Sequence, residues 1–595
     1  MPAHTVFTVL AEAAERYGEA PALYQPTGGA AKYHVYSWRE YRRAAEEIAA
    51  GLRRRGVRQG DVVALVAETQ AELYLADLGI LAAGAVSAAL YTSYPVAEQV
   101  RTLRACEARA VFAEDPATLG RLRASADPSL SVQWFLLAGE AEGALSLAEL
   151  RHLGRRALEE DPGLTGRLAA DVAPADPAIL YLTSGATGEP KMALVSHASL
   201  VANLDMGLQV LGAGPQDSML VFLPSAHITQ RLVGELLPIR CGIPVWFSES
   251  LLKLPEELRT VEPTIFVAPP RLWERVHTSI RLGVNRRSWP LRKLFQAALK
   301  LGLEAVRLRQ GGRRLPVWKT AAWKLAGRLI FGPVRARFGR RMRLCGSGSA
   351  PLGRELTEFY LALGLPMIEG YGLTEGGVVT LNPLDHPRAG SIGRPLPGVE
   401  VRLAEDGELL LNSPTLFSGY YHDPEATAQV LRDGWLHTGD TAEIDPEGYL
   451  YITGRKKELI VASNGQKVFP ARIECLFRTE PIISHALLVG DDRPHVAALL
   501  TVNFTVAETL PGMDAWKGKP ASEMVRAAPL IAAVERAVGR VNRRLAPFEQ
   551  VRRFRILERD FSIEQGELTA TMKLRRSRLL ESFREAVAEL YAAKP

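Results

Sequence analysis

The chain is poor in cysteine, with four in 595 residues: Cys106, Cys241, Cys345 and Cys475. They stand far apart and form no CxxC pair, which excludes a disulfide framework and a cysteine zinc site and fits a reducing compartment. A long apolar run is also missing. Leu78 to Tyr91 is uncharged but too short to span a bilayer, and Gly79 and Gly84 interrupt it. Met1 to Tyr24 mixes acids with apolar residues and lacks the order of an export signal. A cytoplasmic protein is therefore the expectation. Nor does one sign of charge dominate: 72 Lys and Arg face 66 Asp and Glu, a net +6. That field is too weak over this length to point to nucleic acid.

What is present reads as a large α/β protein. The length calls for more than one domain. Tyr41, Ala44, Ile48 and Leu52 keep helical spacing, Gly56 and Gly60 punctuate, and Val62 to Val66 follows as an apolar strand. The alternation recurs at Leu75 to Leu90 and at Ile179 to Leu211, which predicts largely parallel sheets. Two stretches depart from it. Between Arg281 and Arg328 stand thirteen Lys or Arg and one acid, Glu304, interleaved with Trp289, Leu291, Leu294, Trp318 and Trp323. This predicts basic, partly amphipathic helices, either a solvated insertion or a surface for peripheral contact with an anionic membrane. Near Gly454 to Lys457 the pattern changes again. Asp445-Pro446-Glu447-Gly448 predicts a turn between two strands, Asn464-Gly465 a hairpin, and Pro470 a helix start. The expected division is a large domain over 1–455, carrying the basic insertion at about 281–328, and a small mobile α+β domain over 456–595.

Ala178 to Tyr181 reads as a strand, and Thr183-Ser184-Gly185-Ala186-Thr187-Gly188-Glu189-Pro190-Lys191 follows, with Ser196 as cap of a helix to Leu211. Glycines let backbone N–H groups turn to an anion, hydroxyls of Thr183, Ser184 and Thr187 add donors, and Lys191 adds charge. The Walker spacing fails, because Pro190 precedes Lys191 and Met192 follows it.

Tyr181 to Lys191 resembles the signature loop of the adenylate-forming enzymes, the superfamily of acyl-CoA synthetases, peptide-synthetase adenylation domains and luciferases. Ala186 stands where a second Thr is usual and Met192 where Gly is usual. Further motifs follow in the family's order. Gly346 to Leu352, with Gly348 and Ala350, resembles the glycine-rich turn beside the adenine. Glu369 to Glu375 resembles the next motif, which implies that Tyr371 stacks on the purine, Thr374 meets the α-phosphate and Glu375 holds magnesium. Trp435 to Asp440 and Thr453 to Arg455 resemble the ribose-holding pair, Asp440 and Arg455. Glu567 to Arg576 resembles the segment whose lysine, here Lys573, reaches back into the nucleotide site. By motif position the hinge is Lys457.

Leu223 to Arg231 and Val267 to Arg275 resemble the long-chain fatty acyl-CoA synthetase branch, which places His227 at the acyl site. The resemblance implies a ligase that uses ATP, Mg2+ and coenzyme A to convert a long-chain fatty acid first to acyl-AMP and then to acyl-CoA. Two alternatives stay open on sequence: an acyl-AMP ligase that loads a carrier protein, and a silent lipid- or nucleotide-binding protein on this fold.

Overall fold

The computed structural model describes residues 4–28, 32–126, 130–184, 190–569 and 571–592. Gly185, Thr187 and Gly188 lie outside the described residues, as do the side chains of Thr183 and Ser184.

The chain folds as a large amino-terminal α/β part and a smaller carboxy-terminal α+β part. One sheet of eight described strands centres on Val62–Val66, paired in parallel with Val86–Ala89 and Ala110–Ala113. All three strands are buried along their whole length, and their composition is apolar except for Ser87, whose hydroxyl donates to Asp77. Trp38–Arg54 is the helix that precedes them. Ser37 accepts the Glu40 N–H while the Glu40 side chain accepts from the Ser37 N–H, a capping box that starts the helix at that residue.

A second sheet, of nine described strands, carries Met219–Val221, Ile265–Ala268, Leu344–Ser347 and Met367–Leu373 side by side in parallel. Ligands of open parallel sheets gather beyond the carboxyl ends of such strands. Here those ends lead into Pro269, Gly348 and Thr374. A third sheet, with Trp435–Ile444 against Leu450–Arg455, brings Asp440 opposite Arg455.

The expectation of a strand, loop and helix around Thr183 to Lys191 needs correction. Pro177–Ser184 and Pro190–Ser196 are antiparallel strands, Thr183 pairing with Lys191, and only then does the helix His197–Leu211 begin, with Ser196 as its cap. Lys191 thus stands on a strand that precedes the helix, and residues 185–189 lie outside the described residues. The periodic signal misled because Lys191 to Val195 is apolar enough to read as the approach to a helix.

From Ile460 onward the described residues have hydrophobic clusters of their own, beneath the strands Ile483–Val489, Ala497–Val502 and Arg553–Ile556. This part rests on the larger one through polar contacts. Arg271 Nη1 donates to Ser484 O at 2.9 Å, Arg478 lies 3.6 Å from Glu274, and Arg544 pairs with Glu355. Gly353, at φ +90°, allows a close approach, since a Cβ there would lie 2.6 Å from Cys475 Sγ. The basic segment forms two helices, Trp289–Gln310 and Val317–Leu329. Among the described residues no helix is long and apolar enough to cross a membrane.

Candidate active site

A cavity of about 1700 Å3 lies between the two parts. It exceeds the roughly 300–1,000 Å3 that one small ligand occupies, so there is room for two. One wall is polar and belongs to nucleotide-sized recognition, and another is apolar and runs down beside the helix His197–Leu211.

On the polar wall, Asp440 is buried and receives two hydrogen bonds: Tyr371 OH to Oδ2 at 2.6 Å, and Arg455 Nε to Oδ1 at 2.7 Å. The bond holds the Tyr371 ring in one orientation. Burial, reinforced by the Asp440 charge, pushes the Tyr371 phenol well up, so it remains a donor. The Asp440 charge also holds Arg455 in its cationic form. A carboxylate with a guanidinium beside it is suited to vicinal hydroxyls, offering acceptor and donor on one edge.

Glu375 accepts from Tyr420 OH at 2.7 Å, and Lys191 Nζ lies 4.7 Å from the centre of the Tyr420 ring. Tyr420 thus ties the strand after the phosphate loop to the carboxylate expected to hold magnesium. Sequence reasoning missed it; the only signal was the aromatic pair Tyr420-Tyr421 closing a loop. Thr374, Gly348 and Ala350 line the same cavity. Between Gly348 and Ala350, Ser349 adopts a φ of +69°, a left-handed conformation rarely taken by a serine.

That turn brings Ser349 to His227. His227 Nδ1 accepts the Thr229 N–H at 3.1 Å, so its proton sits on Nε2, which faces Ser349 Oγ at 3.4 Å. Burial, with the nearby Lys573 charge in second place, lowers the His227 pKa to about 3. The ring is a neutral donor toward the cavity at any physiological pH. Thr229 and Ser349, whose hydroxyls are 3.2 Å apart, are further residues that the motifs did not single out.

Lys573 arrives from the smaller part on a tight turn. Thr569 N–H donates to Lys573 O at 2.9 Å, and Lys573 N–H donates back to Thr569 Oγ1 at 3.1 Å. Met572 takes φ +64°, which turns the next side chain into the cavity. The amine keeps contact with cavity water yet has protein on most sides. That desolvation, together with the Arg455 charge, lowers its pKa to about 8, against the opposing pull of Asp440, Glu458 and Glu375. Arg575 reaches Tyr94 OH at 3.4 Å and steadies the same segment against the larger part. Lys457 lies in a single helical turn, Lys456–Glu458, and lines the cavity, while its neighbour Lys456 is anchored to Asp406 at 2.5 Å and Glu408 at 2.9 Å.

A pH prediction follows. If the protonated amine is the working form, kcat/KM for adenylation, which reports the free enzyme, falls as pH rises through about 8. Two anionic substrates stabilise the ammonium, so the corresponding limb of kcat lies at higher pH. A kcat/KM profile flat from neutrality through the ordinary lysine range would refute this role for the amine.

Fold and cavity together define an AMP-binding enzyme, and the chain belongs to that family. The family model described as AMP-binding enzyme matches residues 10–421, and that of the AMP-binding enzyme C-terminal domain matches 457–595. Among curated relatives, the chain is 35% identical to the long-chain-fatty-acid–CoA ligase FadD15 of Mycobacterium bovis, over 92% of this chain and 91% of that protein. It is 27% identical to the long-chain-fatty-acid–CoA ligase ACSBG2 of Rattus norvegicus, over 99% and 93%. Among solved structures it shares its fold with the anthranilate CoA ligase AuaEII in complex with anthranoyl-AMP (TM-score 0.75, 20% identity, 99% of each chain). The fold is also that of the adenylation domain of a carboxylate reductase from Mycobacterium chelonae (TM-score 0.77, 24% identity, 100% of this chain and 92% of that one).

Proposed function

We propose that this protein is an ATP-dependent long-chain fatty acid–CoA ligase. The observation that carries the reading is the Lys573 amine of the smaller part, standing in a cavity whose polar wall holds Tyr371, Asp440 and Arg455 and whose other wall is apolar. We assign 1–455 as the nucleotide- and acyl-binding domain and 456–595 as the mobile domain that carries this lysine.

In the first step a carboxylate oxygen attacks the α-phosphorus of ATP, the bond to the β-phosphate oxygen breaks, and acyl-AMP and pyrophosphate form. Both reactants are anions, so the site must supply positive charge where they meet. Lys573 bridges carboxylate and α-phosphate, Thr374 donates to the α-phosphate, and Asp440 with Arg455 grips the ribose while Tyr371 stacks on the adenine. Lys191 and the loop residues Thr183, Ser184, Gly185, Thr187 and Gly188 serve the departing phosphates, and Gly348 and Ala350 border the adenine. Magnesium suits a site with one carboxylate, Glu375, because it keeps water ligands and shares phosphate oxygens; when bound it neutralises the polyphosphate. His227, neutral and held by Thr229 and Ser349, faces the acyl end. In the second step the sulfur of coenzyme A attacks the acyl carbon and AMP leaves, after Lys573 has withdrawn by rotation about Lys457.

Pyrophosphate release with ATP, magnesium and palmitate tests the first step, and thioester formation with free coenzyme A tests the second. Acyl-AMP that accumulates beside coenzyme A but loads a carrier protein instead would replace the acceptor; no pyrophosphate with any fatty acid would sink the reading.

The basic helices favour a cytoplasmic enzyme that touches anionic membrane peripherally, where a greasy acid is found. Trp289 is 63% exposed and Trp318 69%, with Leu291, Leu294, Leu325 and Leu329 exposed nearby in sequence. Indoles and leucines among cations are the composition of an interfacial anchor. Co-sedimentation with phosphatidylglycerol-containing vesicles is expected, weakened by salt and by about a hundredfold or more in Trp289→Ser/Trp318→Ser, since each buried large apolar side chain contributes about 1.5–3 kcal/mol. Equal binding of parent and variant would refute the surface.

A further inference from the structure

The apolar arm of the cavity follows one face of the helix His197–Leu211, from Asn203 through Leu204, Gly207 and Val210 to Leu211. At a rise of about 1.5 Å per residue, that is roughly 12 Å of depth. The opposite wall contains Met219, Ile265 and Leu344, which stand in register at the start of three neighbouring strands. Val267 and Gly346, farther along two of those strands, and Pro269 and Gly348 just past their ends also line the cavity, so it runs beside these two strands from the polar wall down.

Directly behind the deep end lies a cluster that the chemistry above does not use. Arg343 Nε donates to Asp217 Oδ1 at 2.5 Å, and Nη2 donates to Oδ2 of the same carboxylate. Asp217 also accepts from Thr264 Oγ1 at 2.8 Å and from the Gly214 N–H at 3.1 Å. Arg343 reaches the carbonyls of Leu211 and Gly212 at 3.4 Å each, the helix's negative end. Each member of this cluster adjoins a side chain of the floor: Thr264 precedes Ile265, Arg343 precedes Leu344, Asp217 stands two before Met219, and Leu211 is itself a partner. The Asp217 side chain is 1% exposed and that of Arg343 33%, so the pair lies one layer behind the lining residues Leu211, Met219, Ile265 and Leu344.

We propose that the Asp217–Arg343 pair is the floor of the acyl channel and sets the longest chain it accepts. This rests on the reading of the cavity as a fatty-acyl site. Removing the guanidinium frees the end of the helix and the starts of two strands, and the floor retreats. Gly207 acts in the opposite sense at mid-depth. A Cβ there would lie 3.1 Å from Leu237 Cδ1, so a larger side chain fills the channel rather than open space.

The test is pyrophosphate release with the full-length protein on octanoate, laurate, palmitate and arachidate. In Arg343→Ala the ratio of kcat/KM for arachidate over laurate rises by about tenfold or more, as each methylene in a fitted apolar pocket is worth about tenfold or more. Leu344→Ala, which deepens the floor without unpairing Asp217, moves the ratio the same way and decides the matter should Arg343→Ala fold poorly. Gly207→Val lowers arachidate and palmitate while retaining octanoate. A uniform loss on all four acids in Arg343→Ala, with an unmoved ratio in Leu344→Ala, overturns the floor while leaving the enzyme a fatty acid ligase. A parent protein inactive on every one of these acids overturns the functional reading and this inference with it.

Discussion

Lys573→Ala lowers acyl-AMP formation by about a hundredfold to a thousandfold, the loss of roughly 2.7–4 kcal/mol seen when a principal electrostatic donor is removed from a reacting oxyanion. The backbone that presents the residue is held by the two hydrogen bonds with Thr569, and neither uses the Lys573 side chain. Truncation therefore removes the charge and leaves the turn. The amine's neighbours already carry a balance of charge, with Arg455 opposing Asp440, Glu458 and Glu375. Losing the lysine leaves the carboxylate of the acid facing three acidic groups with only Arg455 to offset them. Pyrophosphate release measured on parent and variant checks the expectation. A second measurement separates charge from folding: the variant given pre-formed acyl-AMP and coenzyme A should make thioester at a rate within a few-fold of the parent. If acyl-AMP appeared at the parent rate, the mechanism would be wrong at its centre.

Lys457→Pro shows the reverse division. Proline fixes φ near −65° and restricts the residue before it, so a chain that must pass between two backbone conformations at this point is held in one. The conformation described here has Lys573 in the cavity and Arg271, Arg478 and Arg544 engaged across the two parts. Lys456 is anchored to Asp406 and Glu408 of the larger part, so rotation concentrates on the next residue. Acyl-AMP formation is expected to survive within a few-fold, and thioester formation to fall by at least about a hundredfold, because the thiol cannot reach a carbonyl that the lysine turn still covers. Single-turnover assays of the two half-reactions provide the check. Equal impairment of both would remove Lys457 from the hinge.

The family was legible in the sequence because its motifs are local. Asp440 and Arg455 come from adjoining strands of one hairpin, and Tyr371, Thr374 and Glu375 from a single strand end. Capping and turn signals at Ser196, Asp445-Pro446 and Pro470 likewise act within a few residues, and the helices and strands they bound are present. The strand Pro190–Ser196 was misread because its antiparallel pairing with Pro177–Ser184 is a tertiary choice that apolar periodicity does not encode. Tyr420 escaped notice for a similar reason. It meets Glu375 across 45 residues of chain, and no spacing rule connects them.

By itself, then, the order of residues determined which side chains bear charge, the family whose motifs it carries, and a large α/β part followed by a smaller α+β part. Only the packed molecule decided that His227 is neutral, that the Lys573 amine is lowered to about 8, and that Asp217 and Arg343 pair behind residues lining the apolar arm of the cavity. Each of those depends on burial and on charges brought from distant segments, and both arise when strands far apart in sequence are laid side by side.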